Sequence, residues 1–363
     1  MADDYGYHID HHGSLVRPSA LLAARAGGDA AVIEAAEQAA AVSLAHELRR
    51  LTLSAVCDGQ YRRAFFEAVA YDNIDGFAAA GSAAAPSAPL SDLAGIPAAR
   101  RRAVSASPVA RGRLAQAEVA PVLAAVDRPV FVTLPSAGYL AAVGGVASPD
   151  TVAAAGGALA GILKAEIEAL AGDGVAYVAL ENPLYAPLLT VAGRVALAAA
   201  GLDADALLTA LVAADTATVT GLNVTPEFRV GLYLTDSGPL PTTGEGYDEA
   251  AVAAFLELTP PFHRIGVDWP ADPAVRFPVE LVKPGIVVSL GVVDVSSRAI
   301  ETVEELLDRV DGLATERGEG DIAIAANGGF AQLASEPLMS SGEQHAKLEL
   351  VEMVSRYYWG NEI

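Results

Sequence analysis

The residues able to do chemistry stand where apolar runs end. His11 and Ser14, Asp58 and Gln60, Ser136, Glu181, Tyr233, Thr235 and Asp236, Asp268, Asp294, and Asn327 each follow or close such a run. They form a set of acids, hydroxyls and amides with one or two histidines, suited to moving protons and holding a small polar substrate. Glu181 could bind an amine or act as a base, and Tyr233, Asp58 and His11 are the other candidate catalytic groups. Ser14, Gln60, Ser136, Asp236, Asp268 and Asn327 are candidates for substrate binding. Each has a plainer explanation too, because a polar residue at a strand end most often caps a turn. One cysteine, Cys57, excludes an internal disulfide and a multi-cysteine metal site. Asp236, Asp268, Asp294 and Asn327 are oxygen donors of the kind a hard ion such as Mg²⁺ prefers, but nothing in their spacing demands one, and no metal ligand is assigned.

Two local strings are sharper. In His11-His12-Gly13-Ser14-Leu15-Val16-Arg17-Pro18, adjacent histidines on a strand point to opposite faces, so they cannot both ligate one metal from within it. Gly13 suits a close backbone approach. In Asp58-Gly59-Gln60-Tyr61-Arg62-Arg63, an acid and an amide sit on a turn, and pairing with nearby acids is the favoured role for the two arginines, ahead of anion binding.

These groups need elements to position them. Eight apolar runs read as strands buried on both faces: Gly6–Ser14, Leu51–Asp58, Pro129–Leu134, Ala176–Glu181, Arg229–Thr235, Arg264–Trp269, Gly285–Val293 and Asp321–Asn327. Helical patterns alternate with most of them. Asp29–Leu48 carries a stripe at Ile33, Ala36, Ala40, Leu44 and Leu48. Ser148-Pro149 opens another helix, with Gly172 as its expected stop. Thr302/Glu305 and Ser340/Glu343 have capping-box spacing. The alternation predicts an α/β fold, a (β/α)8 or TIM barrel in one domain over residues 1–363. Its rival is an open doubly wound sheet, but no G-x-G-x-x-G or P-loop string follows any strand. Ala78–Pro108, rich in Ala, Ser, Pro and Gly, reads as a long flexible insertion after strand 2, with a lid or an oligomer contact as the alternative.

A chain of 363 residues can bury a large core without staples. Its net charge of −22 opposes binding to nucleic acid or an anionic membrane face. The longest charge-free stretch, Pro129–Pro149, is broken by Pro135, Gly138, Gly144 and Gly145 before it could span a bilayer. Residues 1–10 carry three aspartates and no Lys or Arg, so no targeting signal is expected and the expected location is cytoplasmic. The expected partner is a small-molecule substrate, with self-association into a homo-oligomer left open.

Taken together, the strings resemble the catalytic domain of the cobalamin-independent methionine synthase family and its short single-barrel relatives. The family's His-x-Gly-Ser-x-x-Arg-Pro string matches His11, Gly13, Ser14, Arg17 and Pro18. Its Asp-Gly-Glu-Phe-Arg-Arg string matches Asp58–Arg63, with Gln60 in place of the acid. Thr133-Leu134-Pro135-Ser136, Tyr139-Leu140, Glu181-Asn182-Pro183, Gly246-Tyr247-Asp248 and the Val287–Leu313 segment follow in order. The resemblance implies a (β/α)8 barrel that transfers a methyl or other alkyl group, with a folate as donor, to a zinc-bound thiolate. It also implies where this chain departs. The family's zinc ligands, a His-x-Cys pair, a Glu and a late Cys, align with Tyr233-Leu234-Thr235, Gly266 and Gly328. Zinc is therefore not expected. Gln60 cannot supply the charge that the family's acid offers an amino group, so homocysteine is not the expected acceptor.

Three functions follow. The first is a zinc-free methyl or alkyl transferase with an altered acceptor. The second is a metal-free lyase, hydrolase or isomerase using His11, Asp58, Glu181 and Tyr233 as acid–base groups. The third is a binding protein without chemistry.

Overall fold

The computed structural model describes residues 8–11, 13–79, 88–145, 148–235, 240, 244, 246–259, 262–331, 333–334 and 337–360. Its strands, in chain order, are β1 (Ile9–Asp10), β2 (Ile74–Ala79), β3 (Arg102–Ala110), β4 (Phe131–Pro135), β5 (Tyr177–Glu181), β6 (Arg229–Tyr233), β7 (Arg264–Asp268), β8 (Val287–Val293) and β9 (Ile322–Ala326). Seven form one sheet in the order β1-β9-β8-β7-β6-β5-β4, and every pairing in it is parallel. The continuous apolar runs of β4, β5, β6 and β9 are buried throughout, as strands covered on both faces must be.

The strand expected over Leu51–Asp58 is not a regular strand. Only Val56 makes a ladder contact, a parallel bridge to Val130. The segment nevertheless touches both edges of the sheet. Val56 N donates to Pro129 O at 2.9 Å, Phe131 N to Val56 O at 2.9 Å, and Ser54 N to Ile9 O at 3.3 Å. Ile9 N is satisfied by the Ser54 hydroxyl at 3.1 Å, a side chain doing what a backbone carbonyl does in a regular ladder. Register levels the C-terminal strand ends: Pro135 faces Glu181, Glu181 faces Tyr233, and Tyr233 faces Gly266.

Helices cover the sheet and start where their caps dictate. Asp29 accepts from Ala31 N and Val32 N to open Ala30–Arg50. Ser148 caps Pro149–Asp173, which stops at Gly174 with φ 102°, two residues beyond the expected Gly172. Both capping boxes form, Thr302 with Glu305 and Ser340 with Glu343. No single helix among the described residues is long and apolar enough to cross a membrane.

The segment after the second run is structured in its described part. β2 pairs antiparallel with β3, and the helix Ala88–Leu93 lies between them in sequence. Leu90 and Ile96 are buried in the core, and the Ser91 hydroxyl donates to Val143 O at 3.2 Å. The hairpin packs on the helix Ala137–Gly144, where a Cβ on Gly144 would stand 3.0 Å from Val104 and 3.3 Å from Phe77.

Candidate functional site

A cavity of about 360 Å³ opens at the C-terminal ends of the strands. Ser14, Gln60 and Glu181, three of the residues singled out in the sequence, border it. So do Glu67, Tyr139 and Arg100, none of them a candidate site residue from the sequence, although Tyr139 lies in one of the matched strings. His11, Asp58, Ser136, Tyr233, Asp268 and Asn327 are not among its lining residues.

Ser14 is placed by close backbone contact. Gly13 has φ 86°, and a side chain there would meet Gly329 N at 2.6 Å; one on Gly329 would meet Ser14 N at 2.5 Å. Ser14 O accepts from Phe330 N at 2.7 Å, which ties the loop after β1 to the loop after β9.

Gln60 is held in a left-handed conformation, φ 56°, strained for any residue with a Cβ. Two side-chain contacts hold it, from Asp58 and Arg17, and a third ties the same guanidinium to Arg63. Asp58 Oδ1 accepts from Gln60 N at 2.9 Å, and Arg17 Nη2 donates to Gln60 O at 2.8 Å and to Arg63 O at 2.9 Å. Arg17 also donates to Ala331 O at 2.7 Å, so one buried guanidinium fastens three loops. Gln60 Nε2 is buried and has no hydrogen-bond partner among the described residues. The two arginines of the string pair with acids: Arg62 with Glu37 at 3.0 Å, and Arg63 with Glu118 through two bonds of 2.7 Å.

Asp58 lies behind Gln60, 5% exposed. Burial, then the Glu118 charge, push its carboxyl up to about 7, against the opposing pull of Arg63, the Gln60 N–H and Arg17. His11 is buried beside Cys57, with Nε2 3.4 Å from the sulfur, and meets the Phe131 ring edge-on. Burial and the Asp58 charge push the Cys57 thiol well up, which keeps it protonated and inert.

Glu67 and Glu181 are the buried acids of the cavity, 3% and 5% exposed, and Asp92 lines it as well. The Tyr139 hydroxyl donates to Glu67 Oε1 at 2.6 Å, while Glu67 Oε2 is buried with no partner among the described residues. Burial, then the charge of Glu67, push the Tyr139 phenol well up, so it stays a donor. Glu67 precedes a single helical turn, Ala68–Tyr71. Its only signal in sequence is an acid amid the apolar string Phe65-Phe66-Glu67-Ala68-Val69-Ala70.

Ser136 serves the scaffold. Its hydroxyl caps the helix Ala137–Gly144 by accepting from Tyr139 N, and donates to Asp215 Oδ2 at 2.9 Å. Asp215 also accepts from Gly138 N, Asn182 Nδ2 and Tyr185 Oη at 2.7, 3.1 and 2.7 Å. Burial pushes Asp215 up, and those four donors oppose the shift. This buried carboxylate fixes the starts of the segments after β4 and β5, and with them Tyr139 and Glu181.

Tyr233 is fully buried, and Tyr177 Oη donates to its hydroxyl at 2.7 Å. Its ring lies on Gly266: a Cβ there would stand 2.0 Å from the ring's Cδ1. Thr235 follows β6 and is buried. Asn327 Oδ1 accepts from Val295 N at 3.0 Å, and its backbone covers Gly291. Asp294 Oδ1 accepts from Ser296 N and Oγ at 2.8 and 2.6 Å. Asp268 ends β7 partly exposed, and Asp236 lies outside the described residues. Among the described residues no group of three or more His, Cys, Asp or Glu side chains could hold a metal ion.

No family model matches the chain, and no curated protein does. Solved structures do. The chain is similar to a protein assigned as a vitamin-B12-independent methionine synthase from Listeria monocytogenes, with a TM-score of 0.66, 16% identity and 98% of each chain covered. It is also similar to a B12-independent methionine synthase from a Shewanella species, solved in complex with selenomethionine, with a TM-score of 0.72, 15% identity and 97% of each chain covered. At these identities the likeness is one of fold.

Proposed function

We propose that this protein is a methionine-synthase-like methyl or alkyl transferase that works without thiolate-bound zinc on a small, amine-bearing acceptor other than homocysteine. The observation that carries this reading is the Tyr233 ring on Gly266, which fills the space a ligand side chain on β7 would need. Tyr233, Thr235, Gly266 and Gly328 do not fit zinc: two have no side-chain donor, and neither hydroxyl is among the ligands this ion prefers. In keeping with the similar solved structures, we take the fold to be a (β/α)8 barrel with residues 53–57 as its irregular eighth strand.

The acceptor's amine is assigned to Glu67 and Glu181. Gln60 cannot supply a negative charge, but Glu67 can, and the Tyr139 hydroxyl leaves its second oxygen toward a ligand. Gln60 Nε2 and Ser14 supply neutral hydrogen bonds. In the transfer, the acceptor's nucleophilic atom attacks the alkyl carbon with its lone pair. The bond from that carbon to the donor breaks, and its electrons leave with the donor atom. The acceptor's proton passes to the Glu181 carboxylate and then to the departing donor, which balances the charge. Asp58, His11 and Tyr233 act from behind the wall, holding Gln60 and the strand ends in place. The donor expected from the scaffold is methyltetrahydrofolate.

The test combines elemental analysis of purified protein with single-turnover incubation of methyltetrahydrofolate and a panel of amines, with and without chelator. Chelator-insensitive methyl transfer that falls at least about tenfold in Glu181→Gln is the expected result. Stoichiometric zinc, or methyl transfer confined to homocysteine, overturns the reading. The two cavity carboxylates would also serve a metal-free acid–base lyase or isomerase. That alternative gains if amine substrates turn over with no folate present.

A further inference from the structure

One cation at the cavity, Arg100, has no acid partner among the described residues. Three consecutive arginines lead from the turn Ala98–Arg100 into β3. Arg101 forms an ion pair with Asp92, and its Nε donates to Ile96 O at 3.0 Å. Arg102 donates from Nη1 to Ala99 O and Arg101 O. Arg102 also lies over a ring, that of Tyr71, but its donors are used; Arg100 keeps its own. Its guanidinium lies over the Phe65 ring, 5.5 Å from the centroid, and its Nε is buried with no acceptor among the described residues. Arg100 borders the cavity that Glu67, Gln60 and Glu181 border.

The surroundings make this arrangement telling. The chain has 45 acidic residues against 23 Lys and Arg, so a carboxylate partner for any arginine is easy to supply. Asp92 also lines the cavity but is engaged by Arg101. Stacking on Phe65 fixes the guanidinium plane without using its N–H donors. A planar, pre-oriented fork with open donors is the geometry that recognises a carboxylate or phosphate through two hydrogen bonds.

We propose that Arg100 is the anion-recognising residue of the substrate site, so that the acceptor carries an oxyanion as well as an ammonium. The inference rests on the reading above that Glu67 and Glu181 hold the ammonium. The insertion that bears Arg100 is then a specificity element, setting which amines are accepted by the anion they bring.

Calorimetric titration of the intact protein tests this with four probes: n-butylamine, L-norvaline, L-glutamate and O-phospho-L-serine. The quantity read is the gain in affinity of each anionic probe over n-butylamine. In the unmodified protein at least one anionic probe binds about tenfold more tightly or better, as a charged hydrogen-bond pair implies. Norvaline against glutamate separates the α-carboxylate from a distal one, and phosphoserine separates phosphate from carboxylate. Arg100→Ala removes that gain, and Arg100→Lys, which keeps the charge but not the fork, restores only part of it. Arg100→Ala that keeps the full gain, or an unmodified protein in which no anionic probe outbinds n-butylamine, overturns the proposal. Glu67→Gln reports on the other reading separately: n-butylamine binding unchanged in that variant removes the ammonium assignment, whatever Arg100 does. Melting temperatures of all variants, followed by circular dichroism, establish that the comparison is between folded proteins.

Discussion

The Tyr233 ring and Gly266 occupy one volume between them. The two residues face each other across β6 and β7, and a Cβ on Gly266 would stand 2.0 Å from the ring. Large and small side chains on neighbouring strands are thus matched, and neither can change alone. Gly266→Ala should destabilise the protein by about 1–3 kcal/mol through overpacking, and Tyr233→Ala by about 3–5 kcal/mol through the hole it leaves. The double variant should lose less than the sum, because the alanine enters space that the ring has vacated. Urea unfolding of the four proteins measures this, and strict additivity would show that the two side chains do not share the space.

Tyr139 and Glu67 form the second coupled pair. Tyr139→Phe removes the described donor to a buried carboxylate and should cost about 1–3 kcal/mol of stability, more than Glu67→Gln, which removes the charge as well. Thermal unfolding of both variants checks the order. If Glu67→Gln proves the more damaging, the carboxylate has support beyond Tyr139.

Asp58 gives the protein a pH signature. Its carboxyl stands at about 7 when folded and at 3.8 ordinarily, so the folded state holds a proton that the unfolded chain gives up. The stability from this group is complete below the lower value. It declines as pH rises through the window and is gone above pH 7, with a slope no steeper than about 1.4 kcal/mol per pH unit. Unfolding free energies measured from pH 4 to pH 8 should show the decline, and Asp58→Asn should flatten it. Glu118→Gln removes a charge that pushes Asp58 up, so the decline should end at lower pH. A slope that survives in Asp58→Asn belongs to another group.

Arg63 and Glu118 are 2% and 5% exposed at their side chains and are joined by two bonds of 2.7 Å. Removing either one strands the other's charge in the interior. Arg63→Ala and Glu118→Ala should each cost about 3–5 kcal/mol, whereas an apolar pair of similar volume, Arg63→Met with Glu118→Leu, should lose much less. A double variant that loses as much as Arg63→Ala, with Glu118→Ala nearly neutral, would mean that the Arg63 bond to Thr133 O, not the ion pair, is what matters.

The sequence by itself determined the α/β alternation, most of the strands and the caps, because these follow from periodicity and from side chains that bond their own backbone neighbours. Ser148, Thr302 and Ser340 cap where their spacing says they should. Ser14, Gln60 and Glu181, candidates from the sequence, border one cavity because strand ends in such a fold converge on one face. Tertiary structure decided the rest. Leu51–Asp58 has the composition of a strand but makes a single bridge, because the Ser54 side chain takes over a backbone contact. Ser136 turned inward to Asp215, a partner 79 residues away. Glu67 and Arg100 lay in stretches with no recognisable pattern, and only the packing of the Ala68–Tyr71 turn and the β2–β3 hairpin brings them to one cavity. Local spacing encodes local bonds. Which distant side chains share a cavity depends on how the surfaces between them fit, and no spacing along the chain records that.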